Sequence, residues 1–136
     1  MSRWSNRRQK FRKMLETQHC VYPASVYDPI SARIAENIGY EMGMYAGSLA
    51  SLAVLAAPDL ILLTQTEYAQ QAHRIGRASE LPLFADADHG YGNALNVKRT
   101  VEELENAGLA GLSIEDTDLP QPFGSDGKAT LLSIDE

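Results

Sequence analysis

Short apolar runs alternate along the chain with stretches whose apolar residues recur at helical spacing. Phe11, Met14 and Leu15 sit among charges and predict an amphipathic helix over 3–17. Val21 to Val26 predicts a strand, with Pro23 near one end. Asp28 and Pro29 then open a helix that runs to about Asn37 and stops at Gly39: an N-cap, a proline in the first turn, a glycine at the exit. Tyr40 to Ala46 predicts a second strand, followed by a turn at Gly47 and Ser48 and a helix over about 49–56. Pro58 and Asp59 break that run, and a longer helix follows over 60–79. Leu81 to Ala85 reads as a third strand, Asn93 to Ala107 as a helix, and Ala110 to Glu115 as a fourth strand. From Thr117 the chain holds Pro120, Pro122, Gly124 and Gly127 and reads as a loop.

Strand and helix in alternation imply an α/β fold with a parallel sheet and right-handed crossovers. Two architectures satisfy this, an open doubly wound sheet and a barrel. Four βα units make half of a (β/α)₈ barrel, whose usual length is about 250 residues. With 136 residues, and what reads as a helix start at Leu132 to Glu136, the chain is expected to be a barrel truncated to its first four units. Its expected organisation is one unit over 1–136, an N-terminal helix over 1–18 and βα units over 19–136.

Composition changes this picture little, but charge adds an asymmetry. Residues 1–13 hold six of the twelve basic residues and no acid; the rest, with six bases and eighteen acids, carries −12. A basic arm can attract nucleic acid or an anionic surface, but beside a helical apolar stripe it reads as a solvated helix face. No nucleic-acid partner is therefore expected. The run over 49–63 is broken by Pro58 and Asp59, so no membrane span is expected. The basic N-terminus has no apolar run behind it and is not a secretory signal. The single cysteine, Cys20, excludes an internal disulfide, is expected to pack as a small hydrophobe, and fits a reducing, cytoplasmic setting.

The chemistry concentrates where strands end. Asp86 and Asp88 are two residues apart at a strand's C-terminal end, so their side chains leave the same face. The next predicted strand ends in Glu115 and Asp116, and Asp59 follows Pro58 in a connection. In a parallel sheet the C-terminal edge is the functional edge, so these acids converge on one cleft. Carboxylates held together repel unless a proton or cation lies between them, and a hard cation such as Mg²⁺ suits one or two such oxygens plus water. The ordinary alternative is that each acid is a cap or turn former. Gly90 and Gly92 lack the third glycine of a dinucleotide loop, and His89 beside two acids reads equally as a turn residue.

Three segments together carry a resemblance. Asp86-Ala87-Asp88-His89-Gly90-Tyr91-Gly92-Asn93, then Thr100 through Gly108, then Gly111-Leu112-Ser113-Ile114-Glu115-Asp116 are similar to the isocitrate lyase/phosphoenolpyruvate mutase superfamily. Tyr45-Ala46-Gly47-Ser48 and Pro58-Asp59 fit the same pattern, and the likeness covers about residues 8–135. It implies a (β/α)₈ barrel that forms dimers or tetramers. It implies that Asp88 is a direct Mg²⁺ ligand, with Mn²⁺ as a substitute, and that Asp59, Asp86 and Glu115 serve catalysis by holding the metal's waters. Tyr45, Gly47 and Ser48 match the loop that binds the carboxylate end of an α-keto acid or its enolate.

The resemblance also sorts the chemistry. The lyases of the superfamily carry a Lys-Lys-Cys-Gly-His motif after the fourth strand, whereas Thr117 to Lys128 has neither Cys nor His. Leu119, Pro120, Phe123 and Gly124, with Tyr45 to Ser48, look like the oxaloacetate decarboxylase-like branch. The expected reaction is Mg²⁺-dependent conversion of oxaloacetate to pyruvate and CO₂. The competing expectations are a methylisocitrate- or dimethylmalate-type lyase, a phosphonate-type mutase or hydrolase, and an inert truncated barrel that acts only in assembly.

Overall fold

The computed structural model describes residues 3–119, 124, 128 and 130–135. The elements follow the chain as α1 (Arg3–Glu16), β1 (Ala24–Ser25), α2 (Pro29–Asn37), β2 (Gly43–Tyr45), α3 (Gly47–Leu55), α4 (Gln65–Ala78), β3 (Leu83–Asp86), α5 (Ala94–Ala107) and β4 (Gly111–Ser113). The strands form one parallel sheet in the order β1-β2-β3-β4. Each strand pairs with its sequence neighbour, the order in which a (β/α)₈ barrel is laid down.

The strands are shorter than the apolar runs that signal them. Pro23 has no N–H to give a ladder, and pairing at β1 starts with Ala24 N–H to the Met42 carbonyl, 3.0 Å. The predicted helix over 60–79 begins late, at Gln65. Thr64 and Glu67 form a capping box there: the Glu67 N–H donates to the Thr64 hydroxyl at 3.3 Å, and the Thr64 N–H to the Glu67 carboxylate at 2.9 Å. Residues 60–64 are a connection, with Ile61 at φ 55. Asp28 caps α2, accepting from the Ser31 N–H at 2.6 Å. Asn93 caps α5, which ends at Gly108 in the left-handed region.

The core lies between the sheet and the α2, α4 and α5 layer. Val26, Tyr45, Tyr68, Ile75, Leu83, Ala85 and Leu104 are fully buried in it. Helix α1 docks across this body. The Arg7 guanidinium is buried, donates to the carbonyls of Gly76 (2.7 Å) and Ser79, pairs with Glu80 at 3.2 Å, and lies 4.8 Å over Trp4. Arg8 donates to the Leu109 carbonyl at 3.2 Å and pairs with Glu105 at 3.4 Å. Two residues of the basic arm are thus spent on docking, not on a free cationic face. Phe11 stacks on Phe84 at 5.8 Å, and Gly111 admits it: a Cβ there would lie 2.6 Å from the Phe11 ring.

Cys20 departs from its expectation. It is exposed, because it lies in the connection between α1 and β1, which leaves the core before the sheet begins. No helix among the described residues is long and apolar enough to cross a membrane. Much of the loop read from Thr117 onward, residues 120–123, 125–127 and 129, lies outside the described residues. Thr117 forms an antiparallel bridge with Leu131.

Candidate active site

The parallel order of β2, β3 and β4 brings the ends of three strands to one edge. β2 delivers Tyr45, Ala46, Gly47 and Ser48; β3 delivers Asp86 and, beyond it, Asp88; β4 leads to Glu115. The Glu115 N–H donates to the Asp88 carbonyl at 2.7 Å, which locks the two loops together. The expectation that Asp86, Asp88 and Glu115 share an edge holds.

Asp88 is the centre of this arrangement. It lies within a turn in which the Gly90 N–H donates to the Ala87 carbonyl at 2.9 Å, and its own N–H donates to the Asp86 carboxylate at 3.3 Å. Its φ is 47°, a left-handed conformation that Asp tolerates better than most residues. Its carboxylate lies against Gly47 so closely that a Cβ on Gly47 would be 2.5 Å from Oδ1 and 2.8 Å from Oδ2. Gly47 begins α3, whose N-cap, Ala46, has no side chain to satisfy the helix's first N–H groups.

The electrostatics match this crowding. The Asp88 carboxyl is pushed up to about 6, by burial first and then by Asp86, Asp59 and Glu115; the Tyr91 hydroxyl opposes the shift. The Asp86 carboxyl is also raised, chiefly by burial and further by Glu115 and Asp59, against the Asp88 N–H. Burial lowers the His89 imidazole, with Glu115 pulling the other way.

Asp59 is exposed in the α3–α4 connection. With Ile61, Leu63, His89, Tyr91 and Leu119 it lines an open cleft of about 610 Å³ beside the acids. Glu115 is exposed and accepts from the Thr117 hydroxyl at 3.0 Å. Ser48 is exposed, and Gly47 is buried. A cleft of similar size, about 540 Å³, lies at the opposite end of the strands beside Leu81 and Pro82, but its acids Glu36, Glu41 and Glu80 share it with Lys10 and Lys13. Chemistry, not volume, picks the first.

Three tyrosines lie close under the acids. Tyr45 and Tyr68 stack at 4.5 Å, and Tyr91 tilts 6.1 Å from Tyr68. Among the described residues the Tyr45 hydroxyl is buried without a hydrogen-bond partner, the Tyr91 hydroxyl faces the Asp88 carboxylate, and burial raises the pKa of all three tyrosines. Tyr91 stands at φ 66, a strained conformation for a bulky side chain. Neither Tyr68 nor Tyr91 is marked as a site residue by the sequence. Tyr68 falls on an ordinary apolar helix stripe, and the strain at Tyr91 exists only in three dimensions.

The donor set fits a hard cation held largely through water. Among the described residues no three His, Cys, Asp or Glu side chains close around a point. One half-buried carboxylate seated at a glycine, with further acids acting on it, is the pattern Mg²⁺ accepts, since it retains several waters. Asp88 is the half-buried carboxylate of the group, and Asp86, Asp59 and Glu115 act on it electrostatically.

Residues 11–136 match the family described as phosphoenolpyruvate phosphomutase. A curated relative, the oxaloacetate decarboxylase of Rhodopseudomonas palustris (strain BisB18), is 59% identical over 133 residues, 98% of this chain and 46% of the relative. Oxaloacetate acetylhydrolase in complex with the inhibitor 3,3-difluorooxalacetate superposes with a TM-score of 0.86 at 32% identity, covering 98% of this chain and 46% of that one. Phosphonopyruvate hydrolase in complex with oxalate and Mg²⁺ superposes at 0.81 and 28% identity, covering 100% and 44%. The chain spans about half the length of the curated relatives it matches.

Proposed function

Because the chain belongs to the phosphoenolpyruvate phosphomutase family, and with it to the isocitrate lyase/phosphoenolpyruvate mutase superfamily, we propose that it forms the metal- and carboxylate-binding half of a (β/α)₈-barrel decarboxylase. The substrate in this reading is oxaloacetate and the products are pyruvate and CO₂. The observation that carries it is the Asp88 carboxylate seated on Gly47, at the uncapped start of α3. A half-buried carboxylate and a helix start without a side-chain cap stand side by side there, which suits a substrate with adjacent keto and carboxylate oxygens.

Each residue then has a task. Gly47 and Ser48 offer backbone N–H groups to the substrate carboxylate, aided by the positive end of α3. Asp88 would hold Mg²⁺ directly, and Asp86, Asp59 and Glu115 would act through its waters. Mn²⁺ would serve in its place. When bound, the cation supplies Lewis-acid stabilisation of the negative charge that develops on the keto oxygen as the C3–C4 bond breaks. Tyr45 walls the site from below and excludes water from that side. Loss of CO₂ removes no proton from carbon, and C3 then takes up a proton from solvent water to give pyruvate, so the chemistry needs no acid/base cysteine in the loop after β4. The family setting also makes a homo-oligomer and a cytoplasmic location our reading of the whole protein.

The test joins this chain to the C-terminal half of one of its oxaloacetate decarboxylase relatives. Pyruvate and CO₂ should form from oxaloacetate faster than Mg²⁺ alone produces them, and Asp88→Ala should abolish the excess. Absence of any excess rate sinks the decarboxylase reading. Glyoxylate-type products from a methylated malate or isocitrate would move the protein to the lyases.

A further inference from the structure

The two halves of the site come from different strands. The N–H donors of Gly47 and Ser48 follow β2, whereas Asp86 and Asp88 follow β3. A chelating substrate has to reach both at once, and a site of that kind works only if its parts are held to about 0.5 Å. The β2–β3 ladder stops at Tyr45 and Ala85, so neither loop is positioned by strand pairing beyond that point.

Tyr68 lies where the ladder stops. It projects from the first turn of α4 and is fully buried. Its hydroxyl lies 2.7 Å from the Tyr45 carbonyl and 2.7 Å from the Asp86 carbonyl. These are the last carbonyl of β2 and the last carbonyl of β3. One proton serves two acceptors from different strands, so the hydroxyl bridges them where the sheet no longer does. The ring stacks on Tyr45 at 4.5 Å and lies against Tyr91 at 6.1 Å, which fixes the hydroxyl's position from two sides. The turn of α4 that carries it is anchored by the Thr64–Glu67 capping box.

We propose that Tyr68 is a positioning residue that clamps the ends of β2 and β3, and so sets the separation between the Gly47–Ser48 donors and the Asp86–Asp88 carboxylates. The clamp itself stands on the two hydrogen bonds; its consequence for metal and substrate rests on the decarboxylase reading above. Core packing alone would need the ring of Tyr68 and not its hydroxyl. The hydroxyl is buried, and Phe in its place leaves two carbonyls without that donor.

Tyr68→Phe keeps the ring and removes the bridge. Ile75→Val, two turns along the same helix and equally buried, is the control for a loss of packing alone. In the full chain, hydrogen exchange of the amides over 45–49 and over 86–92 should quicken together in Tyr68→Phe, by about five- to tenfold, the equivalent of one net hydrogen bond. The Mg²⁺ dissociation constant should rise about tenfold, as it does when an outer-shell partner is lost. Ile75→Val should leave both segments and the Mg²⁺ affinity as in wild type. Exchange over the two segments equal to wild type, or quickened by one common factor across the whole fold, overturns the clamp. Failure of the wild-type chain to bind Mg²⁺ instead defeats the metal reading, and the exchange result still decides the clamp.

Discussion

At the scale of single residues, Gly47 and Asp88 carry the sharpest expectations. Gly47 has ordinary helical backbone angles, so it is a glycine for the space it leaves, not for its conformation. Gly47→Ala puts a methyl 2.5 Å from the Asp88 carboxylate. It should weaken Mg²⁺ binding by about 10- to 100-fold, the range of a displaced metal-site contact, with a cooperative thermal transition retained. Calorimetry that finds unchanged affinity would falsify the pairing of these two groups. In the proposed site, Asp88 trades stability for metal binding. Its carboxylate is half-buried, crowded by other acids and set on a left-handed backbone that Asn also accepts. Asp88→Asn removes the charge and keeps the shape. It should raise the melting temperature of the metal-free protein, by on the order of 1 kcal/mol in stability, while abolishing Mg²⁺ binding. A melting temperature that falls would show that the carboxylate is satisfied by contacts within the chain.

At the scale of elements, helix ends decide much of the site's framework. The Thr64–Glu67 box starts α4 and thereby sets the height of Tyr68. Thr64→Ala should cost about 1 kcal/mol, read as a lower denaturation midpoint. The Glu67 carboxyl is held below its ordinary range by the Thr64 hydroxyl and then by the Thr64 N–H. A depressed carboxyl adds stability above its unfolded pKa and loses it as pH falls through the folded one. The effect of Thr64→Ala should therefore shrink in acid, and a difference that stays constant down to pH 3 would contradict this. At the other end of α3, Ala56 is exposed at φ 52, where an L side chain is strained. Ala56→Gly should stabilise the protein by about 1 kcal/mol, measured by thermal or chemical unfolding.

At the scale of the whole molecule, β1 and β4 are the edges of the four-stranded sheet, and α2 shows an apolar stripe beside the β1 edge. Ile30, Ile34 and Ile38 are 68, 54 and 69% exposed, more than a lone domain usually leaves uncovered on one helix. Residues 1–136 purified alone should self-associate through these edges and show no oxaloacetate turnover; a compact monomer on size-exclusion chromatography would count against it. The sequence by itself determined the order of elements, the parallel sheet and the gathering of acids at strand ends. Those follow from hydrophobic period, from glycine and proline punctuation and from strand direction, all of which are local. It also carried, in Thr64 and Glu67, a helix start that periodicity over 60–79 obscured, because an apolar connection and an apolar helix face look alike along the chain. Tertiary structure alone decided that Arg7 is buried in a docking contact and that Asp88 rests on Gly47. It alone made Tyr68 a bridge between two strands. Each of these depends on groups brought together from distant parts of the chain, where a residue's role is set by the neighbour it meets and not by its own kind or spacing.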